Sequence, residues 1–174
     1  NRVDARGALG ARNDVLQATL DVPALQSLGR GFSGSARGPL KISGTYTDPV
    51  LDSQVSLAGL VTPFGFAAKS ARIDARLQQG LDAPLRLDLE AAQLRYGEVS
   101  LEQVQARIDG SRSKHVANIA LNGGSAATRL QLQAVLAGGL DAGWNWLGTL
   151  QRFDLDGPQS LRLSEPATLQ AGSA

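Results

Sequence analysis

The sequence predicts an all-β chain, an elongated antiparallel-rich sheet with one aliphatic and one polar face, and three observations carry that prediction. The first is alternation of period two: Leu85, Leu87 and Leu89 stand between Arg86, Asp88 and Glu90, and Leu130, Leu132 and Ala134 between Arg129, Gln131 and Gln133. Successive side chains on a strand point to opposite faces, so each such run has one greasy side and one wet side. The second is that the alternation restarts after glycine-containing turns. The third is the make-up of the apolar phase: hydrophobic residues are 43% of the chain, yet aromatics are only 5% and methionine is absent. Packed β-cores usually draw on Phe, Tyr and Trp, so a sheet of Leu, Ala, Val and Ile suggests a smooth aliphatic surface.

Taken in order, alternation marks eleven candidate strands, at 15–20, 40–42, 55–60, 71–77, 85–89, 99–101, 104–108, 115–121, 128–136, 147–155 and 161–163. Leu and Ala favour helices by propensity, so these assignments rest on pattern overriding composition. A short helix is expected at 22–28, with Asp21 as N-cap, Pro23 in the first turn, Gly29 at the end, and Leu25 and Leu28 on its apolar face. Turns are expected at Thr47-Asp48-Pro49, Ala83-Pro84, Asp109-Gly110, Asn122-Gly123-Gly124, Gly138-Gly139 and Asp156-Gly157-Pro158. Asn-Gly and Asp-Gly supply the positive φ of tight hairpins, which favours an antiparallel meander.

The 174 residues fit a single domain, 1–174. Because the chain opens in mid-pattern, at Arg2-Val3-Asp4-Ala5-Arg6, it reads as a fragment of a longer protein, with any anchor or export signal outside it. Seventeen basic and sixteen acidic residues leave a net charge of +1 without a basic cluster, which argues against nucleic acid as a partner. The absence of cysteine excludes disulfides, thiol catalysis and thiolate metal sites. No apolar run approaches the roughly 20 residues of a membrane-spanning helix.

The candidates for chemistry are few. Gly29-Arg30-Gly31-Phe32-Ser33-Gly34 matches G-x-G-x-x-G, but a helix precedes it and a strand follows, the reverse of the phosphate-binding context. Asp88 with Glu90, and Asp154 with Asp156, put carboxylates on one face of a strand, in the polar phase where water solvates them and nothing should shift their pKa. His115 is the only histidine and lacks nearby ligand partners for a metal, and no G-x-S-x-G occurs. No enzyme activity and no cofactor are expected. Trp144 and Trp146 would share a face if their stretch is a strand, as a stacking platform, a lipid-surface anchor, or packing at the end of the sheet.

A family resemblance attaches to motifs spread along the chain in order. They are Val22-Pro23-Ala24-Leu25-Gln26-Ser27-Leu28-Gly29, Phe32-Ser33-Gly34-Ser35-Ala36-Arg37-Gly38, and Ile42-Ser43-Gly44-Thr45-Tyr46-Thr47-Asp48-Pro49. Further on come Ile108-Asp109-Gly110-Ser111 with His115, Trp146-Leu147-Gly148-Thr149-Leu150, and Leu161-Arg162-Leu163-Ser164-Glu165-Pro166-Ala167. Together these resemble the TamB family, within the AsmA-like bridge-type lipid transfer proteins, and suggest a piece of its C-terminal region. The resemblance implies a sheet bent into an open trough, a β-taco with an aliphatic interior. It further implies a setting in the periplasm of a Gram-negative bacterium, with the full-length protein anchored in the inner membrane by a segment outside this chain. The partners it implies are phospholipid acyl chains and an Omp85-type, TamA-like outer-membrane barrel.

On that reading the apolar phase lines the trough: Leu40, Ile42, Val55, Leu57, Ile73, Leu77, Leu85, Leu87, Leu89, Val104, Ile108, Ile119, Leu121, Leu130, Leu132 and Leu136. By alternation alone the same residues could form the closed core of a sandwich or barrel. The alternative function is a structural or adhesive β-repeat domain of a secreted protein, binding protein partners, or glycan through Trp144 and Trp146.

Overall fold

The computed structural model describes residues 2–11, 13–80, 82–125 and 128–172. They form one twelve-stranded sheet: β1 (Arg2–Gly7), β2 (Val15–Val22), β3 (Ser33–Gly44), β4 (Pro49–Val61), β5 (Phe66–Leu77), β6 (Pro84–Tyr96), β7 (Val99–Ser111), β8 (His115–Ser125), β9 (Thr128–Leu140), β10 (Trp146–Asp156), β11 (Leu161–Arg162) and β12 (Ala167–Ala171). Strands β1 to β11 lie side by side in chain order, and β12 returns to pair with β10. Every pairing is antiparallel. Among the described residues β1 pairs only with β2, so the sheet stays open, an unclosed trough and not a barrel.

Cross-strand register explains why this sheet forms. One row runs Val22, Ala36, Leu57, Ala71, Ala91, Val104, Leu121, Leu132 and Leu155, partner to partner from β2 to β10. Two residues along, Val55, Ile73, Leu89, Ala106, Ile119, Ala134 and Phe153 form the next. Between them runs a polar row, Arg37, Ser56, Arg72, Glu90, Gln105, Ala120, Gln133 and Asp154. A one-residue slip at any strand would put its leucines among these charges, so burial preference pins the register.

Nothing among the described residues makes a second layer over most of the sheet. Among the described residues the buried apolar side chains are Val22, Leu25, Ala36, Ala68, Ala75, Ala91 and Ala134, and no large side chain is fully buried. Small residues sink between larger neighbours, whereas the leucines of these two rows stay half-buried.

Several expectations need correction. The helix expected at 22–28 is a single 3-10 turn, Leu25–Leu28, because Val22 is claimed by its pairing with Ala36 at the end of β2. Ala24, and not Asp21, stands at its N-cap, while Gly29 does end it, at φ 141°. Leu25 is buried; the side chain of Leu28 lies outside the described residues. The segments 99–101 and 104–108 are one strand, β7, and two further strands, β1 and β12, flank the sequence pattern. Three of the expected turns, Asp109-Gly110, Asn122-Gly123-Gly124 and Gly138-Gly139, lie inside β7, β8 and β9. There glycine serves close backbone approach: a Cβ on Gly139 would overlap the carbonyl of Ser113, and one on Gly123 would sit 2.4 Å from the Ser100 oxygen.

The joined β7 conceals a phase slip that crosses several strands. The less exposed positions step by three, not two, at Leu57 to Leu60, Ala68 to Ala71, Ala91 to Leu94 and Leu101 to Val104. Gly59 and Gln93 hold positive φ, 60° and 50°, at this seam, and the pairing of β7 with β8 shifts there, between Leu101 and Gln103. A bulge-like residue rotates the following side chains, which returns Leu60 to the apolar face, where it packs beside Val22, Leu25 and Ala36.

Candidate functional site: the uncovered aliphatic face

Pairing register places the sixteen residues singled out from the sequence on one face of the sheet. Leu40 and Ile42 on β3 pair with Ser53 and Leu51; Val55 and Leu57 on β4 pair with Ile73 and Ala71. Leu77, Ala75 and Ile73 face Leu85, Leu87 and Leu89, and the next partners are Ile108 for Leu87 and, by way of Ala91, Val104. Val104 meets Leu121, Ala106 meets Ile119, and β9 completes the face with Leu132 opposite Leu121, Leu136 opposite Ala117 and Leu130 opposite Gly123. All sixteen are half-buried. The same rows contain Leu16, Leu51, Leu150, Phe153 and Leu155, which the sequence reading left out although they carry the same alternation.

Each end of this face is partly occupied by the protein itself. At the end of β2 and β3, the 3-10 turn lays Leu25 onto Val22 and Ala36, flanked by Phe32, Leu57 and Leu60. At the opposite end, Trp146 lies over the paired glycines Gly138 and Gly148, on which a Cβ would come within 2.6 Å of the indole. Its Nε1–H donates to Nε2 of buried His115 at 3.0 Å, which leaves Nδ1–H of that ring to donate to the Ser111 carbonyl at 3.0 Å. His115 is therefore a packed structural group. Trp144, in contrast, sits in the turn before β10 at φ 64°, under the guanidinium of Arg112. The two tryptophans do not form a shared strand platform.

The polar face is laced with ion pairs: Arg37 with Asp21, Arg72 with Asp74, Arg86 and Arg107 with Asp88, and Arg152 and Arg162 with Asp154. Open depressions of about 500 and 460 Å³ lie mainly over this face, between long Arg, Glu and Gln chains. They are gaps between solvated side chains. Asp88 departs from the expectation of an unshifted carboxylate: hydrogen bonds from Arg86 and then Arg107 hold its pKa below the ordinary range. That is the wrong direction for a general acid. Gly29 and Gly31 lead into β3, which contains Gly34, and not into a helix. Among the described residues no group of three or more His, Asp or Glu is placed to hold a metal ion, and no helix is long and apolar enough to cross a membrane.

A buried contact that the sequence did not reveal joins Arg112, 5% exposed, to Asp48 at 3.3 Å. The partners are 64 residues apart and belong to different turns, so no local pattern marks them.

Comparison with known proteins places this sheet. The chain is 25% identical over 159 residues to the Translocation and assembly module subunit TamB of Haemophilus influenzae, an alignment that covers 91% of the chain and 12% of the relative. The chain thus spans about an eighth of the length of the curated relative it matches. No solved structure matches it. A family model described as "TamB, N-terminal domain", and so not by the C-terminal region that the motif order suggests, matches residues 1–174. With the whole chain inside that match, the protein belongs to the TamB family.

Proposed function

We propose that this chain is one stretch of a hydrophobic conduit that carries phospholipid acyl chains across the periplasm, between inner and outer membranes. The observation that carries the reading is the unbroken apolar row from Val22 to Leu155, covered at its β2–β3 end by Leu25 and, among the described residues, without a side-chain layer packed over the rest of its length. Burying hydrocarbon contributes roughly 0.8 kcal/mol per CH₂, so a sixteen-carbon tail gains on the order of 12 kcal/mol on leaving water. An acyl chain lying on equivalent leucines exchanges like contacts for like as it slides, while its headgroup remains in water. No catalytic step is part of this reading. The relative's name supports a role in a translocation and assembly module. In that role the full-length protein is anchored in the inner membrane and meets an Omp85-type, TamA-like barrel at the outer membrane.

The test is site-specific photo-crosslinking in cells, in the full-length protein. Probes at Leu87 or Leu132 are expected to capture phospholipid, and probes at Arg86 or Gln131, on the opposite face, are not. Equal labelling of both faces would sink the conduit reading. A structural or adhesive domain would leave all four positions unlabelled by lipid.

A further inference from the structure

In a meander, alternate turns gather at one end of the sheet. Here that end collects the turns joining β1 to β2, β3 to β4, β5 to β6, β7 to β8 and β9 to β10. Contacts run from turn to turn along this rim. The Tyr46 hydroxyl donates to the Leu9 carbonyl at 2.9 Å, the Gly80 N–H donates to Asp48 Oδ1 at 2.9 Å, and the Ser113 hydroxyl donates to Asp82. Arg112 is the centre. Its Nη1 donates to the Thr47 carbonyl at 3.5 Å and to Asp48 at 3.3 Å, its guanidinium lies 4.9 Å from the centre of the Trp144 ring, and its carbonyl accepts from Leu140 N–H at 2.8 Å.

The Arg112–Asp48 contact spans an unusual interval. Asp48 directly precedes β4 and Arg112 directly follows β7, three strand spacings apart, while the centres of their turns are four apart, so a flat sheet would separate them by about 14–19 Å. Fully extended, the two side chains and the gap between them cover at most about 14 Å by ordinary bond lengths. Only side chains at full stretch would span even the shorter interval, so the strands at this end are drawn together by up to about 5 Å relative to a flat sheet. The side chain of Arg112 is 6% exposed and its Nε is buried without a hydrogen-bond partner. An ion pair that buries its arginine and leaves one polar atom of it unsatisfied contributes little net stability, and such pairs are best attested as devices that specify geometry.

We propose that Arg112 and Asp48 are positioning residues that clasp the rim and set the width of the trough at this end. The proposal concerns the shape of the sheet and does not depend on what the face carries. It predicts that breaking the clasp relaxes β3 and β8 apart while the strands persist.

The chain contains no cysteine, so spin labels can be placed uniquely at Lys41→Cys on β3 and Val116→Cys on β8, both exposed and outside the clasp. Pulsed electron-electron resonance is then read in the otherwise natural sequence, in Asp48→Asn and in Arg112→Met. Both variants are expected to lengthen the mean distance measurably, by up to about 5 Å, with far-UV dichroism unchanged. Arg37→Met, which breaks an exposed pair with Asp21 on the polar face, is expected to leave it alone. An unchanged distance in Asp48→Asn, or equal widening in Arg37→Met, overturns the proposal. Should Arg112→Met fail to fold, Asp48→Asn, at a side chain 30% exposed, still decides.

Discussion

Leu87→Asp separates an open aliphatic face from a closed core. Leu87 stands in the middle of the sheet, between Ala75 of β5 and Ile108 of β7, with Leu85 and Leu89 on its own strand, and it is half-buried. Full burial of a leucine is worth about 1.5–3 kcal/mol, so a half-buried one loses roughly 1–1.5 kcal/mol on removal. Aspartate fits a strand less well, by up to about 1 kcal/mol. Its carboxylate faces the open side and keeps its water, so the penalty for burying a charge does not arise. The total is about 2 kcal/mol, against 4–5 kcal/mol or more for an unpaired charge in a sealed interior. Urea unfolding followed by far-UV dichroism measures the difference. A folded sheet with a modest fall in midpoint is the expected result, together with loss of lipid crosslinking at Leu132. Loss of the sheet, or a cost above about 4 kcal/mol, would refute the claim that this face is uncovered.

Two further predictions concern the ends and the polar face. Gly138→Ala puts a methyl group 2.5 Å from the Leu147 oxygen and 2.6 Å from the Trp146 ring, so the indole must leave His115; this costs about 1–3 kcal/mol and shifts Trp146 emission to the red in a Trp144→Phe background, and unchanged emission would count against the packing described. Asp88, held by Arg86 and Arg107, has a folded pKa below its unfolded value, so its contribution is complete above about pH 4 and fades as pH falls through the folded value. Asp88→Asn is expected to lower stability at pH 7 by about 1 kcal/mol or less and to match the natural chain near pH 2, and a difference that persists in acid would contradict this assignment.

The face was legible because alternation repeats the same physical choice on every strand. Sixteen positions chosen by period share one side of the sheet, since any other register would bury charge beside leucine. Glycines were harder. Gly110, Gly123 and Gly138 resemble hairpin turns in sequence but lie within strands, because glycine also answers a neighbouring backbone or ring that leaves no space for Cβ. The seam at Gly59 and Gln93 did leave a trace, apolar spacings of three within runs of two, as at Leu101 and Val104. Splitting β7 there mistook a change of phase for a break between two strands. Asp48 and Arg112 left none: each looks like an ordinary turn residue until the sheet curves and brings them together.

Sequence alone determined the all-β class, the antiparallel order and which side chains share a face, because these follow from local alternation and nearest-neighbour pairing. Tertiary structure decided that the sheet stays open, that Leu25 and Trp146 occupy the two ends of its greasy face, and that Arg112 and Asp48 meet at the rim. Those outcomes depend on curvature summed over many strands. No short stretch of the chain encodes that sum.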